Sequence, residues 1–125
     1  MDARPPPGAY SPAFFDHVAH PRGQGALPSA THRGEALDAT CGDRLALELR
    51  VEGGVVRDAR FRVEGCPGAI AVGSALVEQV VGRDASVASV TVADLEAALC
   101  GVPASKRHAL RLAVQAWKVT LGSGG

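Results

Sequence analysis

Between Arg44 and Val63 the chain alternates apolar and polar residues with a period of two, and after Cys66 the period lengthens to that of a helix. In "RLALELRV", Leu45, Leu47, Leu49 and Val51 share one face, and Ala46, Glu48 and Arg50 share the other. "VVRDARFRV" repeats the pattern, with Ala59, Phe61 and Val63 opposite Asp58, Arg60 and Arg62. "EGG", residues 52–54, stands between them as a turn signal. The two segments therefore read as an antiparallel hairpin with one buried face and one solvated face.

The helical elements flank this hairpin. "SPAFFDHVAHP" predicts a short opening helix: Ser11 suits the N-cap, Pro12 the first helical position, and Pro21 a stop. Phe14, Phe15 and Val18 give it an apolar face. After Cys66, Ala69, Gly73, Leu76, Val77 and Val80 fall at helical spacing, and Gly82 ends that run. "TVADLEAALCG" predicts a short helix capped by Thr91, and "PASKRHALRLAVQAWKVTLG" a final one. Its inward stripe is Ala109, Leu112, Ala113, Ala116 and Trp117. The stretch "RGQGALPSATHRGE" is loop-rich, with a weak first strand expected near "EALDAT". The fold class expected is α+β, a small antiparallel sheet of about three strands packed by helices on one face. One domain over residues 10–121 is expected, with a flexible lead at 1–9 and a loose tail at 122–125.

Composition narrows the function. The chain has 125 residues, enough for one core, and 46% of them are hydrophobic. Aromatics are only 4%, so Ala, Val and Leu must fill the interior. Thirteen basic and thirteen acidic residues give a formal net charge of zero, which argues against nucleic-acid binding. No apolar run is long enough for a membrane span. The opening "MDARPPPGAY" lacks the apolar segment of a secretory signal. An odd cysteine count, three, with no such signal points to the reducing cytoplasm, where cysteines serve as ligands, nucleophiles or core fillers.

Two of those cysteines stand at the open end of the hairpin. Cys41 precedes its first strand and Cys66 follows its second, so pairing of the strands brings the two together. Cys66 also opens a helix, a position that favours thiolate and makes it the expected more reactive sulfur. Asp43, two residues after Cys41, adds a hard oxygen donor or proton acceptor. Two thiolates and a carboxylate leave one ligand to find for zinc or an iron–sulfur cluster. His17, His20, His32 and His108 are the candidates, and spacing does not choose among them. Local packing is the expectation for His17. Cys100, at the end of "LEAALC", is expected to be a buried, inert cysteine, or a substitute ligand if its loop folds inward.

Several segments in order resemble the NifU-like N-terminal domain, the scaffold family that includes IscU. They are "YSPAFFDHVAHPRGQG", "CGD", "VVRDARFRVEGC", "AIAVGSALVEQVVG" and "GVPASKRHALRLAVQAW", which together span about Tyr10 to Trp117. The resemblance implies assembly of iron–sulfur clusters on three cysteines helped by an aspartate and a histidine. Carried over by position, these are Cys41, Asp43, Cys66 and His108, with Ala109 where the third cysteine is expected. The stretch that chaperones read in IscU is altered here to "GVPASK".

Under this resemblance the chain is a scaffold rather than an enzyme. It would hold a transient [2Fe–2S] cluster or Zn²⁺ at Cys41, Asp43, Cys66 and His108. Cys66 or Cys41 would accept sulfur from a cysteine desulfurase, and the cluster would pass to apo iron–sulfur proteins. A homodimer bridged by a shared cluster would also satisfy the coordination count, although no residue of the sequence argues for one. The alternative is a diverged zinc-binding paralogue that acts as a regulator, or as a persulfide acceptor for the desulfurase.

Overall fold

The computed structural model describes residues 10–39 and 42–123; the expected lead at 1–9 and Cys41 lie outside the described residues. Strands β2 (Arg44–Glu52) and β3 (Val55–Glu64) form the hairpin that the alternation predicts. They turn through Gly53 and Gly54, whose φ values are +60° and +76°. A two-residue turn needs two consecutive left-handed residues, and glycine adopts them without a Cβ clash. Register places Leu45 opposite Val63, Leu47 opposite Phe61 and Leu49 opposite Ala59. Leu45, Leu47, Leu49, Ala59 and Phe61 are fully buried.

The register shifts between Arg50 and Val51, and this bulge leaves Val51 half-buried rather than in the core stripe. Strand β1 (His32–Leu37) pairs antiparallel with β2, completing a sheet of order β1-β2-β3. It begins three residues before the weak strand expected near "EALDAT". The shift is explained by partners: His32 to Leu37 match Leu49 to Arg44 one for one, and the chain turns away at Asp38.

All helices pack on one face of the sheet. Helix α4 (Arg107–Gly122) lies across β1 and β2, and α2 (Pro67–Val80) lies over β3 and against α4. Helix α1 (Pro12–Ala19) docks on α2, and α3 (Val92–Ala98) joins α2 and α4. The expected caps form: Ser11 Oγ accepts the Phe14 N–H, and Thr91 with Asp94 closes a capping box. The α4 stripe from Ala109 to Trp117 is buried as its spacing predicts.

Helix α2 differs from its one-sided reading. Ten of its residues are buried, including Ala71, Val72, Ser74 and Ala75 outside the predicted stripe. It sits between α1, β3, α3 and α4, so small side chains are required nearly all round. On the open face of the sheet, Glu48 is covered by Arg33 at 3.0 Å and Arg62 at 3.5 Å. Helix α4 continues through Gly122, and Ser123 Oγ accepts the Arg33 N–H at 3.1 Å. Among the described residues, no helix is long and apolar enough to cross a membrane.

Candidate metal centre

The hairpin's open end delivers two of the predicted side chains. Asp43 stands immediately before β2 and Cys66 two residues after β3, and the last paired residues are Arg44 and Glu64. Asp43 Oδ1 accepts the Cys66 N–H at 3.2 Å, and Asp43 Oδ2 lies 3.2 Å from Cys66 Sγ. The carboxylate is therefore held against the first turn of α2, where the helix presents unpaired N–H groups. Asp43 is only 4% exposed. Gly65 makes the approach possible: its φ is +148°, and a Cβ there would run into the Asp43 carboxylate.

The third side chain arrives from the far end of the sequence. Pro103 opens a short 3₁₀ turn over Ala104–Lys106, which leads directly into α4. An Arg107–Glu96 ion pair ties this entry to α3. His108 then sits in the first turn of α4, with Nε2 3.8 Å from Asp43 Oδ2. That nitrogen is buried and has no hydrogen-bond partner among the described residues. One donor atom from each of Asp43, Cys66 and His108 lies within 4.8 Å of the others.

Zinc ligands stand about 2.0–2.3 Å from the metal at tetrahedral angles, so a compact O, S, N set with an orphaned buried nitrogen fits a cation. A solvent-open crevice of about 320 Å³ adjoins His108, lined by Leu37, Asp38, Arg111 and Gln115. Cys41 lies outside the described residues.

Residues 9–123 match the family described as the NifU-like N terminal domain. The chain belongs to that family. It is 34% identical over 115 residues to the iron-sulfur cluster assembly scaffold protein IscU of Aquifex aeolicus, covering 90% of this chain and 73% of that protein. It is 37% identical over 113 residues to the bifunctional protein NifU/MnmA of Rubrobacter xylanophilus; that match takes 88% of this chain but spans only 23% of the relative. The fold resembles the N-terminal part of a nitrogen-fixing NifU-like protein from Brucella abortus. The TM-score is 0.61 with 16% identity, covering 90% of each chain.

In this NifU-like domain the other histidines are not among the clustered donors. His20 ends α1 and is exposed, and His32 Nδ1 lies 2.7 Å from the Thr31 hydroxyl. His17 is 4% exposed, with Nδ1 2.7 Å from Ser74 Oγ. Ser74 Oγ also accepts the Arg22 N–H at 2.8 Å, which leaves its own hydrogen free to point at Nδ1. Burial, and secondarily Arg22, lowers the His17 pKa from its ordinary value, against weaker opposing pulls from Glu78 and Asp16. The unfolded chain therefore binds this proton more readily than the folded one. Stability from His17 is complete above the ordinary histidine range and is lost as pH falls through the lowered value. Urea midpoints measured from about pH 7.5 down to about pH 5 should decline more steeply in the parent protein than in His17→Asn. Parallel declines would remove His17 as the cause.

Cys100 is exposed, contrary to the expected buried position. Leu99 takes the inward place, fully buried, and its carbonyl accepts from Ser11 Oγ. Cys100 then adopts φ +54° as α3 ends, the left-handed conformation usual for glycine at that position. It is not among the three clustered donors. Cys100→Gly should raise the unfolding free energy by about 0.5–1 kcal/mol in urea titrations, since the Cβ penalty disappears. A lower unfolding free energy would show that the side chain makes a stabilising contact. Ala109, the position the resemblance assigns to the third cysteine, is fully buried behind His108. Sequence reasoning did not single out the His17–Ser74 pair, because a serine inside an apolar helix carries no signal of its partner.

Proposed function

We propose that this NifU-like domain is an iron–sulfur cluster assembly scaffold, with iron and sulfide as its cargo rather than as a resident cofactor. The observation that carries this reading is the convergence of Asp43, Cys66 and His108 from three separate segments within 4.8 Å. Cys41 joins them as the fourth donor. Asp43 and His108 supply the oxygen and nitrogen, and the two cysteines supply sulfur ligation for a [2Fe–2S] cluster.

Cys66 is the first sulfur acceptor, since it is half-buried at the mouth of the site and caps α2. The sulfur comes from a cysteine desulfurase and the finished cluster goes to apo iron–sulfur proteins in the cytoplasm. The role is assembly and transfer, with no turnover chemistry assigned to the chain itself.

The absence of a thiol at Ala109 favours a second reading. Two cysteines, a carboxylate and an imidazole also make a closed tetrahedral zinc set, as a regulatory paralogue would carry. One experiment separates the two. Protein purified without oxygen is incubated with Fe²⁺, desulfurase and cysteine, and its metal and acid-labile sulfide are measured. Iron and sulfide in equal amounts, lost in Cys41→Ser and Cys66→Ser, are expected for the scaffold. Zinc that neither iron nor sulfide displaces would replace it with the zinc-binding reading.

A further inference from the structure

The missing side chain at Gly68 leaves a notch on the first turn of α2. A Cβ built there would lie 3.5 Å from Cys66 Sγ and 3.5 Å from Lys106 Cδ, with Lys106 Cγ at 3.8 Å. The Lys106 stem therefore runs over the start of α2 on the side that carries the sulfur. Its ammonium is two bonds beyond Cδ, within reach of Cys66. Lys106 is half-buried, and no ion pair among the described residues takes up its charge.

The site needs such a charge before any metal arrives. The Asp43 carboxylate is 4% exposed and lies 3.2 Å from Cys66 Sγ. An anionic sulfur on Cys66 would place a second negative charge beside it in a poorly solvated corner, where repulsion is strong. We propose that Lys106 is the interim counter-cation of the site, balancing Asp43 and an anionic sulfur on Cys66 until a metal ion takes over that task. This rests on the scaffold reading above.

The loading step is a sulfur exchange with a persulfide donor, R–S–SH. The Cys66 thiolate attacks the donor's outer sulfur. The donor S–S bond breaks, a new S–S bond forms on Cys66, and R–S⁻ leaves. The product Cys66–S–SH releases its proton to water, and nothing is oxidised overall. Lys106 then faces an anion that is larger and nearer. A divalent cation entering the site competes with the ammonium for the same negative charge. Lys106 thus helps the first step and hinders the second.

That opposition of sign supplies the test. In a Cys100→Ser background, metal-free protein is treated with cysteine persulfide, and separately titrated with Zn²⁺ alone. Lys106→Met keeps the stem over Gly68 and removes the charge. Cys66 persulfide, read by peptide mass after alkylation, should accumulate about tenfold more slowly, while zinc binds about fivefold more tightly. Lys106→Arg should restore the loading rate, and Lys106→Gln should repeat the Met result if Met disturbs the fold. Loading at the parent rate in both neutral variants would overturn the proposal. So would a joint fall in loading and zinc affinity, the mark of lost packing. A parent protein that takes up neither persulfide nor zinc would sink the scaffold reading itself, and Lys106 with it.

Discussion

Replacing Cys66 by serine should weaken Zn²⁺ binding by at least about a hundredfold and leave the fold intact. The thiolate is the softest of the three clustered donors, and a serine hydroxyl stays protonated at neutral pH. Stability should barely move, because serine can still donate to Asp43 Oδ2, as Cys66 Sγ does at 3.2 Å. Cys66 is also only half-buried, so no large cavity opens. Asp43→Ala should differ in kind. It removes a donor and also strips the Cys66 N–H of its acceptor, adding about 1–2 kcal/mol of destabilisation. Competition against a chromophoric chelator measures the first effect and urea unfolding the second. Zinc affinity within a few-fold of the parent in Cys66→Ser would remove Cys66 from the donor set.

The largest effect on stability is expected from Trp117→Ala, about 3–5 kcal/mol. Aromatic residues make up only 4% of this chain, so few side chains can fill the space between α4 and the sheet. Trp117 is fully exposure-free and its Nε1–H donates to the Ser86 carbonyl at 3.2 Å. Truncation would leave a cavity and remove the indole's hydrogen bond, while the Ser86 carbonyl keeps the Ser89 N–H at 3.0 Å. Trp117 lies about 13 Å along the helix from His108, so zinc affinity of the folded fraction should hold. Urea unfolding followed by circular dichroism gives the value. A loss under about 1.5 kcal/mol would mean the far end of α4 is not part of the cooperative core.

The elements legible in the sequence are those that bury one face against one neighbour. Leu45, Leu47 and Leu49 could be read because β2 has helices on one side only, and Trp117 because α4 turns one stripe inward. Strand β1 was harder to place, because its sequence, "HRGEAL", has little to alternate. Its Gly34 lies so close to Thr120 that a Cβ would come within 2.9 Å of the Thr120 Cα. Packing there demanded smallness, which mimics a loop signal. Helix α2 misled for the opposite reason: surrounded on all sides, it has no polar stripe to mark its faces.

At the site, the pairing of Asp43 with Cys66 follows from the hairpin alone. The place of His108 beside them does not, since it lies 42 positions beyond Cys66 in the sequence, across helices and turns. Only the family likeness chose it from the four histidines. The exposure of Cys100 is not legible in the sequence, because a cysteine in a left-handed helix terminus has the same pattern there as the last apolar residue of a stripe.

The three donors belong to the entrance of β2, the entrance of α2 and the entrance of α4. An ion held among them acts as a clip across the chain, closing two long loops that unfolding would otherwise release. Tightness of grip and firmness of fold are then one quantity read in two assays. A partner that levers the start of α4 away from the hairpin would open the hand and empty it in the same motion.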